Sequence, residues 1–188
     1  MKTNIALLIE QSVNVIDSLN KGLRLTHKEQ QFFCEHFERE EIKKNEFTIR
    51  IGDYEKYLYF IESGILRYWT AQEYGDPDKE VTFWFSFPGE FANSYFSLKE
   101  NQPSLIHIQA LTDCVIWKLS KQDLADLYQT SLNINKSARI VLEDALCRKI
   151  TRETLLLGSS AAAIYEDLIT KEKELINNIP LKYLASYI

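Results

Sequence analysis

The residues able to do chemistry are few and scattered. Cys34, Cys114 and Cys147 lie far apart in the chain, as do His27, His36 and His107. An iron–sulfur cluster needs four convergent thiolates, which three cysteines cannot supply. A cupin-like metal enzyme needs clustered histidines with a carboxylate, and this chain has no such cluster. His107 alternates with Ile106 and Ile108, which puts it on the opposite strand face as a hydrogen-bonding residue rather than a ligand. No nucleophile–base arrangement and no phosphate-cradling glycine loop stand out, so the expected activity is binding and not catalysis. Between Phe91 and Ser104, the side chains of Asn93, Ser94, Tyr95 and Ser97 offer donors and acceptors, with Trp84 and Phe96 as apolar walls. An odd cysteine count with no disulfide framework fits a reducing, cytoplasmic setting.

A second kind of chemistry is suggested at the C-terminus. Pro180 suits a helix start, because its missing N–H would have no partner there. Leu181, Leu184, Ala185 and Ile188 then recur on one helical face. The segment reads as the first helix of a helix-turn-helix, with the recognition helix expected beyond Ile188. Lys182 and Tyr183 are the candidate contacts to the DNA backbone, where first-helix contacts position a protein without specifying sequence. The net charge of −5 argues against a general nucleic-acid binder, an objection that weakens if a basic recognition helix follows Ile188.

The elements that must position these groups are legible in the period of the apolar residues. Residues 5–20 read as a helix, and Thr26 with Glu29 forms a capping-box pattern ahead of Phe32, Phe33 and Phe37. From about residue 40 the period becomes two. Strands are expected at 47–51, 57–61, 65–69, 81–85, 105–111 and 114–119, separated by Gly52-Asp53, Ser63-Gly64, Gly75-Asp76-Pro77, Pro88-Gly89 and Thr112-Asp113. Short β-branched and aromatic strands at this spacing indicate a sandwich or barrel. Ser120 caps a helix, with Asp123 at its third position. Residues 133–157 form the longest helical pattern, about 35 Å at 1.5 Å per residue. In it Ile134, Ala138, Val141, Leu142, Ala145, Leu146 and Ile150 trace a near-heptad seam suited to a second copy of the chain. Gly158-Ser159-Ser160 breaks the pattern, a further helix spans 161–175, and Asn177-Asn178 turns into the terminal helix. No apolar run approaches the roughly 20 residues that span a bilayer, and the N-terminus has no signal-peptide core, so no membrane partner is expected.

The order of these elements resembles the CRP/FNR family of bacterial transcription regulators. The resemblance is carried by Ile51-Gly52-Asp53, by residues Tyr59 to Arg67 (YFIESGILR), by Pro88-Gly89-Glu90-Phe91 and by residues Leu181 to Ile188 (LKYLASYI). It implies an α+β fold: an antiparallel β-roll (a double-stranded jelly roll of the cyclic nucleotide-binding kind), a long dimerisation helix and a partial C-terminal helix-turn-helix. The implied division is a sensor at 1–132, a dimerisation helix at 133–158 and the start of a DNA-binding domain at 159–188. In the family, a cassette after a Gly-Glu pair binds cyclic nucleotide, and an Arg further on pairs with the cyclic phosphate. Gly89 and Glu90 match that pair. Ser104 stands at the arginine position, and no Arg occurs between Arg67 and Arg139. The resemblance therefore implies a homodimeric regulator of double-stranded DNA. Its effector pocket would comprise Gly89, Glu90, Phe91, Asn93, Ser94 and Ser104, and would take an unknown small molecule in place of the usual cyclic nucleotide. No cofactor is expected. A sensory module acting through protein contacts alone is the alternative.

Overall fold

The chain is described by a computed structural model over residues 4–16, 24–71, 79–171 and 177–188. Two four-stranded antiparallel sheets form a β-roll. The strands are β1 (Glu38–Ile42), β2 (Phe47–Ile49), β3 (Tyr57–Ser63), β4 (Leu66–Ala71), β5 (Glu80–Ser86), β6 (Phe91–Ala92), β7 (His107–Ala110) and β8 (Cys114–Ser120). The sheet orders are β1-β8-β3-β6 and β2-β7-β4-β5. Side chains alternate across each strand, so Tyr59 and Ile61 of β3 enter the roll while Phe60 between them faces out. The interior is filled by Tyr59, Ile61, Leu66, Tyr68, Ile108, Ala110, Cys114 and Ile116. Both faces of β3 are thus buried, which explains its unbroken apolar run.

Gly64 turns β3 into β4 with φ +92°. A Cβ there would collide with Cys114 Sγ and lie 2.6 Å from Asp113 O, so both the backbone conformation and the space require glycine.

Helices cover the roll on two sides. The helices are α1 (Ile5–Ile16), α2 (His27–His36), α3 (Tyr95–Glu100), α4 (Lys121–Thr130), α5 (Leu132–Gly158), α6 (Ala161–Lys171) and α7 (Leu181–Tyr187). One cluster joins Ile5, Ile9, Val13, Phe33, Leu127 and Ile134 to the outward Phe60 and Leu119. Another joins Ile164, Leu168, Leu184 and Tyr187 to Ile65, Phe85 and Leu111. The Thr26–Glu29 capping box and the Ser120 cap both form. Pro180 sits at the N-cap of α7, one position before the first helical residue.

The expected helix and strand order stands, with three differences. β1 was not expected, because Glu38, Arg39, Glu40 and Glu41 hide its alternation; it forms because Lys118 on β8 bridges Glu38 and Glu40 at 3.5 and 3.0 Å. The stretch 91–104, for which no helix or strand was expected, contains β6 and α3. The strands expected at 47–51 and 105–111 are shorter, because Gly52 and Ser104 leave the ladder to bond each other, Gly52 N–H to Ser104 O at 2.9 Å. The helix end at 17–20, the turn at 75–77 and residues 172–175 lie outside the described residues.

Candidate functional site

The six cassette residues are divided between two environments. Gly89 adopts φ +87°. Its N–H donates to Ile61 O at 2.8 Å, and Ile61 N–H donates to Glu90 O at 3.0 Å, stitching the turn to β3. The Ser12 hydroxyl on α1 donates to Gly89 O. Glu90 accepts from Phe87 N–H at 3.1 Å and pairs with Arg148 Nη1 at 2.7 Å. Arg148 also reaches Asp144 at 2.9 Å and lies 5.3 Å from the Trp84 ring centre. Burial works against the Arg148 charge, but Glu90 and Asp144 hold its guanidinium above the ordinary range. Phe91 packs edge-on to Phe60 at 5.2 Å. These three residues are therefore tied to the helices.

Ser94 and Ser104 lie elsewhere, buried beside the roll interior. The Ser104 hydroxyl donates to Ile106 O at 2.8 Å and lies 2.9 Å from Ser94 Oγ, from which it can accept. Ser94 N–H donates to Glu55 Oε2 at 3.1 Å. Glu55 Oε1 accepts from Lys56 N–H at 3.0 Å and Tyr57 N–H at 3.2 Å, and the Tyr59 hydroxyl is a further donor. Glu55 N–H in turn donates to Ser97 Oγ at 2.9 Å, and that hydroxyl donates to Gln102 O at 2.6 Å. The Asn93 backbone and Ser86 Oγ (3.2 Å) hold the buried Tyr68 hydroxyl. Burial dominates at Glu55 and raises its carboxyl above the ordinary range despite four donors. Burial also raises Tyr59 and Tyr68, so both phenols are neutral at physiological pH.

The network is made of hydroxyls, amides and one carboxyl. Among the described residues, no lysine or arginine side chain is hydrogen-bonded to it. An open cavity of about 410 Å³ adjoins it, with Thr48, Asp53, Glu55, Lys56, Tyr57 and Tyr59 in its walls. Its walls carry carboxyls from Asp53 and Glu55 beside the single cation of Lys56, with no arginine to fork onto a phosphate. Sequence reasoning missed Glu55, which carries no periodic signal. Tyr59 and Tyr68 were findable, since they alternate with Phe60 and Arg67 on strands whose inward side was predictable.

Among the described residues, no group of three His, Cys, Asp or Glu side chains is placed to hold a metal. The His107 ring lies tilted against Trp69 at 4.2 Å, and its Nδ1 accepts from Ile51 N–H at 3.2 Å.

The α5 seam splits. Ile134 is buried and Val141 partly buried against the α1 cluster, with Ala138 and Ala145 at its edge. Leu142, Leu146 and Ile150 face outward at 43, 57 and 53% exposure. At the far end, Tyr183 lies half-buried with the Arg67 guanidinium 4.0 Å from its ring centre, while Lys182 is exposed.

Residues 39–131 match the sequence profile described as Cyclic nucleotide-binding domain. No curated protein matches the chain. Among solved structures, the chain is similar to a cyclic nucleotide-binding domain from Methylobacillus flagellatus (TM-score 0.65, 15% identity, 82% of this chain and 84% of that one). It is similar to a Eubacterium rectale protein assigned to the CRP/FNR family of transcriptional regulators (TM-score 0.63, 14% identity, 79% and 68%). It is also similar to the Thermus thermophilus catabolite activator protein (TM-score 0.56, 22% identity, 71% of this chain), and spans 59% of that protein's length.

Proposed function

From a cyclic nucleotide-binding domain across residues 39–131, we propose a homodimeric, non-enzymatic transcription regulator of the CRP/FNR type. The observation that carries this reading is α5. It leaves the sensor roll as a 27-residue helix and presents Leu142, Leu146 and Ile150 to solvent, with Leu157 at 90% exposure two turns further on. An apolar stripe on so long a helix is stabilised by a second copy. The fold likeness to CRP/FNR regulators supports the same arrangement. Such a dimer places two DNA-binding ends about one helical turn of DNA apart, so a palindromic operator is expected.

Light scattering of the purified chain tests the dimer. The wild type runs at twice the monomer mass, and the Leu146→Glu, Ile150→Glu double variant runs as a folded monomer. A monomeric wild type at micromolar concentration rejects the reading.

The effector is a small molecule other than a cyclic nucleotide held through an arginine at the usual position. Ser104 fills the arginine position and already uses its hydroxyl on Ser94 and Ile106. Calorimetric titration with cyclic AMP and cyclic GMP should give no heat up to millimolar ligand. Saturable micromolar binding would mean that another residue supplies the phosphate contact.

A further inference from the structure

The loop between β2 and β3 walls a cavity that the cassette residues do not line. The cavity lies between Thr48 of β2, residues 52–56, and Tyr57 and Tyr59 of β3, with a volume of about 410 Å³. That size holds a small ligand. The loop is fixed in place from behind. Gly52 N–H donates to Ser104 O at 2.9 Å, and Ser104 N–H donates to Asp53 O at 2.7 Å. Glu55 N–H donates to Ser97 Oγ at 2.9 Å, and Ser94 N–H donates to Glu55 Oε2 at 3.1 Å. The walls are thus preformed and bonded to the cassette.

These walls are electron-rich. Asp53 and Glu55 contribute two carboxyls. Asp53 Oδ2 accepts from Arg50 N–H at 3.1 Å, whereas the Arg50 guanidinium lies over the Phe47 ring at 3.6 Å. The Glu55 carboxyl accepts from backbone amides and the Tyr59 hydroxyl. Among the described residues, neither carboxyl forms an ion pair with a side-chain cation. Lys56 is the single cation in the walls, and its side chain is exposed. Lys118, 5.3 Å from the Tyr57 ring centre, is already matched by Glu38 and Glu40. The Tyr57 and Tyr59 rings, 6.1 Å apart and tilted by 46°, add two electron-rich faces. Thr48, in the same wall, has a hydroxyl oxygen with no hydrogen-bond partner among the described residues. Two carboxyls against one ammonium repel an anion, and a neutral guest leaves them unpaired. A cation balances the charge, meets the ring faces and brings N–H donors.

We propose that this cavity binds a small organic cation, an alkylammonium, with Asp53 and Glu55 balancing its charge and the Tyr57 and Tyr59 rings packing on it. Bonds from the walls to Ser94, Ser97 and Ser104 carry occupancy to the cassette. That the amine is the effector rests on the reading of the chain as a regulator; the binding itself does not.

Amide chemical shifts of the full chain, followed by NMR as n-butylammonium chloride or 1-butanol is added at constant ionic strength, test this. The ammonium should saturate shifts at residues 52–59, and the alcohol should bind about tenfold more weakly. Asp53→Asn keeps an acceptor for Arg50 N–H and should weaken the ammonium about threefold. Lys56→Gln removes the competing cation and should tighten it about threefold, each change being the size of one partly exposed charge pair. A gain in affinity does not arise from a damaged fold, so Lys56→Gln decides the matter even where Asp53→Asn unfolds. Equal affinities for ammonium and alcohol, no saturation by tens of millimolar, or no tightening in Lys56→Gln each reject the site. Light scattering on the same samples separates this from the regulator reading. If the shifts fail to saturate in a dimeric chain, the site is lost and the regulator reading stands. If the ammonium saturates a monomeric chain, the site stands and its role as effector falls with the regulator reading.

Discussion

Glu29 shows how much one buried carboxylate can organise. It accepts from Thr26 N–H at 2.7 Å and Thr26 Oγ1 at 2.9 Å, closing the capping box of α2. It also accepts from the Ser131 hydroxyl and from Asn133 Nδ2 at 3.2 Å, at the start of α5. Ser131 itself caps α5 through Ile134 N–H at 3.0 Å. Burial pushes the carboxyl up, but the donors from Ser131, Thr26 and Asn133 together leave it below its ordinary value of 4.5. The depressed value means that the folded state favours the charged form. Its stabilisation is present above pH 4.5 and is lost as pH falls through the folded value. Glu29→Ala should cost about 2–3 kcal/mol in urea unfolding at neutral pH. The gap between wild type and variant should narrow as the solution is acidified below 4.5; a pH-independent gap contradicts this account. The Thr26–Glu29 half of the arrangement was legible from spacing. The Ser131 half was not, because the two residues are 102 positions apart and no local pattern links them. Gly64 makes a sharper case. Gly64→Ala must hold a left-handed conformation and push against Cys114 and Asp113, so a loss of about 2–4 kcal/mol is expected in the same assay. A loss below about 1 kcal/mol would show that the β3–β4 turn can relax.

At the scale of elements, α5 was legible in length and boundaries but not in how its apolar residues are shared. A near-heptad row says which residues lie on related faces, not what covers them. Ile134 and Val141 turn toward α1, whereas Leu142, Leu146 and Ile150 turn away. The two halves should therefore fail differently. Ile134→Ala empties space inside one chain and should cost about 2–4 kcal/mol with the oligomeric mass unchanged. The Leu146→Glu, Ile150→Glu variant should change the mass and spare the secondary structure, as circular dichroism would show. If Ile134→Ala alone dissociates the dimer, the division of α5 is wrong. Arg148 and Arg152, one turn apart on this helix, reach different bodies: Arg148 holds the Glu90 turn and Arg152 holds α7. Neither role shows in sequence, since each contact spans at least 35 positions. Charged β1 escaped notice for a related reason, because Lys118, which bridges two of its carboxylates, lies on another strand.

Across the whole molecule, the roll is clasped by two helical clusters that differ in how the chain supplies them. The order of elements, the strand interior and the helix caps could be read locally, because they depend on period and on residues three or four apart. The division of the cassette between Arg148 and Glu55, and the seating of α7 on β5, depend on contacts over tens to a hundred residues. The cluster around Phe60 and Leu119 draws on both Ile5–Val13 and Leu127–Ile134. Synthesis on the ribosome delivers α1 first and its partners on α4 and α5 more than a hundred residues later. During that interval α1 has only α2 and Phe60 to settle on, its side toward Leu127 and Ile134 stays open, and the strands behind it emerge with one face bare. The nascent chain thus carries two exposed greasy surfaces that are complementary to each other yet cannot close until α5 arrives. Long-range closure of this kind slows folding and favours chaperone capture of the growing chain.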